Sequence, residues 1–487
     1  MAKASDQDDS NPNSGNGSIS RASTLSWVLG LCLPLWLAYV SNQWSRSSIY
    51  YLVDFSGSGT AEKAMNVALD FDQSQYGVLA SVAFTTLFAV ASLGAGLASD
   101  RYNRKTLTIA SVVAWSVATL GTALSSSYTQ VVVWRVAMGL ACAFSTPTAY
   151  TLIQEKVPST QTSLASSLYG SGVALGGALA SLSILLDNRL GWSNALLVIA
   201  VFGFGTAVLN TLVLPNDPKT TIDVTDDNNN NDNNKSSASS TSIFQEMGQV
   251  VSTSRVRWLF LGTFFRFCSG LMIGVWSAPY FRQVFPSNES DYALAQAFIT
   301  AVGGTISGLA GGALADAVAG RSKNNDSTTS DPIGAKLWIP VVGSVLAAPA
   351  WYLAVNIGTM TGSTSFLPAM ICLAVEYLVA ECWFGPTIST LQSTVGPKIG
   401  GTAQGMFTLM GAIANLAPTA LGFLYSSSTA TATANGSSGG VVASEQLGFL
   451  LTAGVCGGYL ISAFFFALSA LSPPNETMMK DATGKAD

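Results

Sequence analysis

Twelve apolar runs of about twenty residues or more, separated by short polar stretches, leave this chain few folds to adopt. They fall near residues 25–53, 75–98, 106–126, 129–153, 163–186 and 192–214, and again near 257–284, 291–318, 336–357, 365–392, 400–425 and 446–471. Such a run crosses a bilayer as a helix, because in hydrocarbon every backbone N–H and C=O must find its partner within the segment. Composition agrees. Of the 487 residues, 49% are hydrophobic and only 10% charged, against about 25% charged in a soluble domain. A soluble protein would need a whole set of fully buried helices of spanning length. The expected class is therefore an all-α membrane protein with twelve transmembrane helices.

The polar stretches divide the chain. Residues 1–23 and 473–487 read as tails, 24–214 and 253–472 as two six-helix bundles, and 215–252 as a linker. The linker run "NDPKTTIDVTDDNNNNDNNKSSASSTS" has too little apolar surface to fold and reads as disordered. The following "IFQEMGQVVSTSRVRW" suggests a short interfacial helix. The N-terminal stretch lacks the apolar core of a signal peptide. With both termini placed in the cytoplasm, sixteen lysines and arginines fall on that side; only Lys63, Arg189 and Arg282 fall on the other. The positive-inside bias thus predicts a multi-pass protein of the plasma membrane or an endomembrane, with both ends cytoplasmic.

Several classes of chemistry are disfavoured. There is no histidine, so the commonest general base and metal ligand is missing. The six cysteines sit in apolar runs without CxxC spacing and read as small buried side chains. No cofactor or metal is expected. The net charge of −5, without a basic patch, argues against nucleic acid. No phosphate-binding G-x-x-x-x-G-K-[ST] is present, and no polar catalytic cluster suggests an enzyme. The expected partners are a small-molecule substrate and the lipid bilayer, with the protein acting as a monomer.

The two bundles echo one another. After the second span stands "GLASDRYNRK", with Gly96, Asp100 and Arg104 at four-residue spacing; after the eighth stands "GALADAVAGR", with Gly312, Asp316 and Arg321. Span four ends in "PTAYTLIQEKVP" and span ten in "PTISTLQSTVGP". Pro147, Thr148, Thr151, Leu152 and Pro158 recur as Pro386, Thr387, Thr390, Leu391 and Pro397. Two parallel repeats place the natural site in a cavity between them.

This organisation, with "G-x-x-x-D-R-x-x-R-K" after span two, resembles the major facilitator superfamily over about residues 24–472. "DRYNRK" (Asp100–Lys105), "RVAMGLACAFSTPT" from Arg135 and "LGWSNAL" before span six are most similar to its Spinster-like branch, carriers of lipids and organic anions. Two positions depart from that branch. Ser45 stands where an aspartate is usual, and Cys142 where a glutamate is usual. The resemblance implies a gate built from Gly96, Asp100, Arg101, Arg104 and Lys105 in one half and Gly312, Asp316 and Arg321 in the other. It implies that Asp100 docks at the start of span eleven, near Gly400–Thr402, where a carboxylate meets the positive end of a helix dipole. Asp316 would do the same at span five. Arg101, Arg104 and Lys105 also read as positive-inside anchors.

Charges inside spans are costly, so each is a candidate site. They are Arg46, Arg135, Arg266, Glu376 and Glu381. Gln43, Arg46, Ser47 and Tyr50 share one helical face, a polar stripe suited to a cavity wall. Arg46 lines that cavity or snorkels to the interface. Arg135 and Arg266 contact substrate or pair within the protein. Glu376 and Glu381 are candidates for proton coupling, Glu376 also for substrate binding. At five residues apart they point about 140° away from each other, which argues against one shared site. Trp276 packs an amphiphilic substrate or belongs to helix packing. Gly172 and Gly176 on span five, with Gly304, Gly308 and Gly312 on span eight, suit a close contact between the halves. The leading expectation is a secondary or facilitative transporter of a small organic anion or lipid-like amphiphile, working by alternating access with possible proton coupling. The alternatives are a non-transporting sensor on the same fold and a sugar- or drug-type carrier.

Overall fold

In the computed structural model, residues 27–56, 64–158, 162–215, 240–324, 331–361, 365–396, 399–434 and 439–473 are described. Among them the only regular structure is helical. Eleven segments are long and apolar enough to cross a membrane: Gln73–Ser92, Arg104–Ala123, Tyr128–Ile153, Ala165–Leu190, Trp192–Val213, Ser254–Val284, Pro286–Arg321, Pro332–Ile357, Phe366–Val395, Gly400–Thr431 and Ala443–Leu471. The first expected span is built in three pieces, a π turn Val28–Cys32, an α-helix Leu33–Ser47 and a 3-10 turn Ser48–Tyr50. Its polar run "SNQWSRSS" keeps it below the apolarity of the others. With it the spans number twelve.

The sequence repeat is visible in the backbone. Spans two and eight each carry a π turn, Val78–Val82 and Ile299–Gly304. Spans four and ten are each interrupted. Span four runs Tyr128–Cys142 and resumes as Ser145–Lys156; span ten runs Phe366–Ala380, makes a 3-10 turn at Glu381–Trp383 and resumes as Phe384–Val395. Pro147 and Pro386, the echoed prolines, explain both interruptions. Each lacks an N–H, so the carbonyl four residues earlier loses its helical partner.

Side chains tie each half together. Lys105 Nζ donates to the Leu214 carbonyl at 2.7 Å, fastening the start of span three to the end of span six. Arg104, read as a positive-inside anchor and gate residue, is buried and paired with Glu155. Arg255, at the start of span seven, pairs with Asp331 and donates to the carbonyl ends of span twelve at Ser469 and Ser472. The expected helix after the linker is Ser240–Ser252. Its Val250 is fully buried with Val256, Leu259 and Phe407. Thr402 Oγ1, in the first turn of span eleven, donates to its Glu246 at 2.6 Å.

An even number of spans puts residues 27 and 473 on one face, here called the terminal face. The buried cores differ between the two faces. At the opposite face one continuous core joins the halves, from Ile49, Leu52, Tyr76 and Ile184 to Trp276, Phe281, Tyr292 and Tyr425. Toward the terminal face the cores stay separate, around Leu35, Leu152 and Tyr169 and around Trp115 and Met138 in the first half, and around Leu259, Trp383 and Phe407 in the second. Hydrogen bonds between the halves follow the same division. Tyr76 Oη donates to the Val275 carbonyl at 2.6 Å, Thr419 Oγ1 to the Gly77 carbonyl at 2.9 Å, and Ser181 Oγ to the Ala293 carbonyl at 3.1 Å. The halves meet at the opposite face and part toward the terminal one.

This asymmetry bears on two expectations. Gly172 and Gly176 lie against Tyr39, Trp36, Val40 and Gln43 of span one, within their own half. A β-carbon on Gly304, Gly308 or Gly312 would meet nothing within 4 Å. Spans five and eight do touch, but nearer the opposite face, where Gly177 approaches Thr300. The second concerns Asp316. Its side chain is 83% exposed and lies 3.8 Å from Lys336 Nζ of its own half; the side chains at the start of span five fall outside the described residues. Arg321 is exposed at the end of Thr305–Asn324. Gly96, Asp100 and Arg101 end the helix Ala83–Arg101, and their side-chain positions fall outside the described residues.

Candidate functional site

In the first half the charged residues converge on one aromatic ring. The Arg46 guanidinium sits 4.7 Å from the centre of Phe84, a span-two residue. The Arg135 guanidinium, from span four, lies 5.3 Å from the same ring and 5.9 Å from Tyr50. Cation–π contact stabilises each, by roughly 0.5–2 kcal/mol depending on desolvation. Gln43 is buried on the same face of span one, and the Tyr50 hydroxyl donates to the Ala80 carbonyl at 3.3 Å.

Neither arginine has a carboxylate partner among the described residues. Arg135 is buried; its Nε donates to the Leu79 carbonyl at 3.3 Å, and its Nη1 lies 3.5 Å from Met138 Sδ. Its Nη2 is buried without any hydrogen-bond partner. Beside it Ser45, Ser48, Thr119 and Thr122 line a cavity of about 10 Å³, room for about one water. Ser45 Oγ and Asn42 Nδ2 are likewise unpartnered. Cys142 lies within electrostatic reach of both arginines. The two positions where the resembling branch has acids, 45 and 142, therefore both adjoin this arginine pair, and here neither carries charge.

The second half is arranged differently. Arg266, buried in span seven, donates through Nη2 to Glu381 at 3.0 Å and to the Ala380 carbonyl at 2.8 Å. Its guanidinium lies 5.2 Å from the Trp383 ring and 4.9 Å from the Tyr459 ring. The Tyr459 hydroxyl bonds to Glu376. Glu381 contacts Arg266 directly, whereas Glu376, about 140° around the same helix, reaches it only through Tyr459, whose ring packs on the guanidinium. Their environments differ: Glu376 is buried, whereas the Glu381 side chain is 40% exposed. Trp276 is fully buried at the opposite face, its Nε1 donating to the Pro418 carbonyl at 3.0 Å and its ring edge-on to Tyr76 at 5.0 Å.

The structure thus brings Gln43, Arg46, Tyr50 and Arg135 together, and separately Arg266, Glu376 and Glu381. Phe84 and Tyr459, which organise the two groups, have no mark in the sequence beyond being aromatic. Chemically, the first group offers positive charge and unused donors, which suit an anionic oxygen acceptor. The second is an ion pair beside a buried carboxylate.

Comparison with known proteins adds the family. The model of the Major Facilitator Superfamily matches residues 35–419. Among curated proteins, the probable sulfoacetate transporter SauU of Cupriavidus necator is 23% identical over 94% of this chain and 97% of its own length. The 4-hydroxybenzoate transporter PcaK of Pseudomonas aeruginosa is 27% identical over 36% of this chain and 41% of its own. Among solved structures, a bacterial homolog of the human lysosomal transporter Spinster, in an inward-facing and unoccupied conformation, superposes with a TM-score of 0.70 at 20% identity. That match covers 94% of this chain and 98% of that one.

Proposed function

The chain belongs to the Major Facilitator Superfamily, and we propose that within it this protein carries small organic anions across a membrane by alternating access. The observation that carries this reading is the pair Arg46 and Arg135, held on one ring without a counter-ion among the described residues. Cation–π contacts and one backbone carbonyl offset part of the cost of two cationic groups inside a membrane protein; Ser45 and Cys142 add no negative charge, and a substrate carboxylate or sulfonate would supply it. Sulfoacetate and 4-hydroxybenzoate, the substrates named for two relatives, are both small organic anions.

Arg266 gives a route to proton coupling. While Glu381 is ionised it occupies the guanidinium; a proton on Glu381 removes that competitor and leaves Arg266 to a second anionic oxygen. Glu376, sealed behind Tyr459, sets the local charge. Trp276 is assigned to closure of the opposite face and not to substrate. The Gly96–Lys105 and Gly312–Arg321 segments act as the gate on the terminal face. We place that face in the cytoplasm on the bias of positive charge, and take the working unit to be a monomer in the plasma membrane or an endomembrane.

The test is uptake into proteoliposomes of radiolabelled sulfoacetate, a hexuronate and 4-hydroxybenzoate, with a neutral sugar as control. At least one anion is expected to accumulate. Arg46→Ala and Arg135→Ala should each lower kcat/KM at least tenfold, a loss of about 1.4 kcal/mol in transition-state stabilisation. Unchanged uptake in both variants would remove the arginine pair from the site. Saturable binding without flux would favour the sensor.

A further inference from the structure

At the opposite face, away from both arginine groups, a second charged cluster straddles the junction of the halves. Arg282, at the end of span seven, is buried. Its Nη1 donates to the Val53 carbonyl at 2.9 Å and the Tyr51 carbonyl at 3.3 Å, both in the other half. Its Nη2 lies 3.6 Å from Asp54 and 3.5 Å from Glu289. Asp187, on span five, is within electrostatic reach of all three. Asn188 Nδ2 reaches across the junction to Glu289 at 3.5 Å. Three carboxylates, two from the first half and one from the second, therefore face one guanidinium. All three are buried, with Asp54 at 1% exposure and Asp187 and Glu289 at 6%. Arg189 is exposed and forms no ion pair among the described residues.

The cluster is underbonded as well as acidic. Asp54 Oδ2, Glu289 Oε1 and Arg282 Nε are buried without hydrogen-bond partners. Burying three ionised carboxylates against one cation costs far more than burying them neutral. One guanidinium cannot balance three carboxylates shut away from water, so closing this face favours proton uptake by the cluster as a whole. Parting the halves at this face admits water, lets each carboxylate ionise independently and returns the protons to that side.

We propose that Asp54, Asp187, Glu289 and Arg282 form a proton-binding gate at the opposite face, which takes up protons from the adjacent solution as it closes and releases them there as it opens. This deepens the proposed proton-coupled transport and rests on alternating access, adding to Glu381 a proton site whose occupancy follows the conformation and not the substrate. The sign is fixed by the carboxylates. Their protonated form belongs to the closed state, so low pH closes this face and high pH opens it. For one proton per closure, the open-to-closed ratio changes by up to about tenfold per pH unit.

Spin labels at Leu124→Cys and Leu367→Cys, exposed positions in different halves at this face, report the opening as a distance distribution. The measurement uses protein with its native cysteines replaced by alanine, in nanodiscs without substrate, between pH 5 and 9. The short-distance population is expected to fall as pH rises. In the triple variant Asp54→Asn, Asp187→Asn, Glu289→Gln it should stay high throughout. Backbone hydrogen exchange of the 282–292 segment, corrected for the intrinsic pH effect, gives the same readout in unmodified protein. A wild-type distribution and exchange rate independent of pH would overturn the proposal, as would the same pH dependence in the triple variant. No substrate enters the experiment, so a failure of anion transport and a failure of the gate are told apart.

Discussion

Ser45 and Cys142 are small side chains facing two guanidinium groups, and that substitution of size and charge is the sharpest prediction at the residue scale. Restoring an acid should fill the anion site from within. Cys142→Glu, or Ser45→Asp, is expected to raise the KM for the transported anion at least tenfold, about 1.4 kcal/mol of lost binding, while Cys142→Ser leaves it within a factor of about three. Initial uptake rates across a substrate series check this. At this scale the sequence made the arginines legible, because a charge in an apolar run stands out. It did not reveal that Glu376 and Glu381 are linked through one arginine, since the link is Tyr459, an aromatic residue of a different span. Nor did it mark Arg282. Near the end of a span an arginine reads as an interface anchor, and only the folded chain brings Asp54, Asp187 and Glu289 to it.

Among the elements, the echoed prolines were the most informative letters in the chain. They explain why spans four and ten break at matching points. The three pieces of span one were not foreseen, because no proline or glycine marks the change from α to 3-10 at Ser48. Spans two and eleven meet through glycine. A β-carbon on Gly422 would come within 2.8 Å of the Gln73 carbonyl and 3.1 Å of Trp276. Gly422→Ala should therefore wedge the opposite face apart and lower the short-distance population of the same spin-label pair at least threefold. Gly457→Ala, on span twelve with nothing within 4 Å, is the control and should change nothing.

For the whole molecule, the twelve-span architecture followed from hydropathy alone. The conformational state did not, because a pattern of apolar runs is common to every state of such a protein. Only the distribution of buried contacts, one shared core against several separate ones, identifies which face is shut. Asp100 bears on that balance. The helix Ser240–Ser252 already sets Glu246 against Thr402, at the span-eleven terminus where Asp100 is expected to dock. Asp100→Asn should hold the terminal face open and raise the labelling rate of Gly308→Cys at least twofold by a membrane-impermeant maleimide; an unchanged rate would remove Asp100 from the gate. The glycines of span eight bear on speed. The span-eight wall has open space where β-carbons on Gly304, Gly308 and Gly312 would stand. Glycine has no rotamers to freeze, so each closure of that wall orders little side-chain freedom, whereas each closure of the other face must realign an arginine and three acids. The two half-cycles are thus expected to differ in activation entropy, with the arginine-bearing face setting the turnover rate.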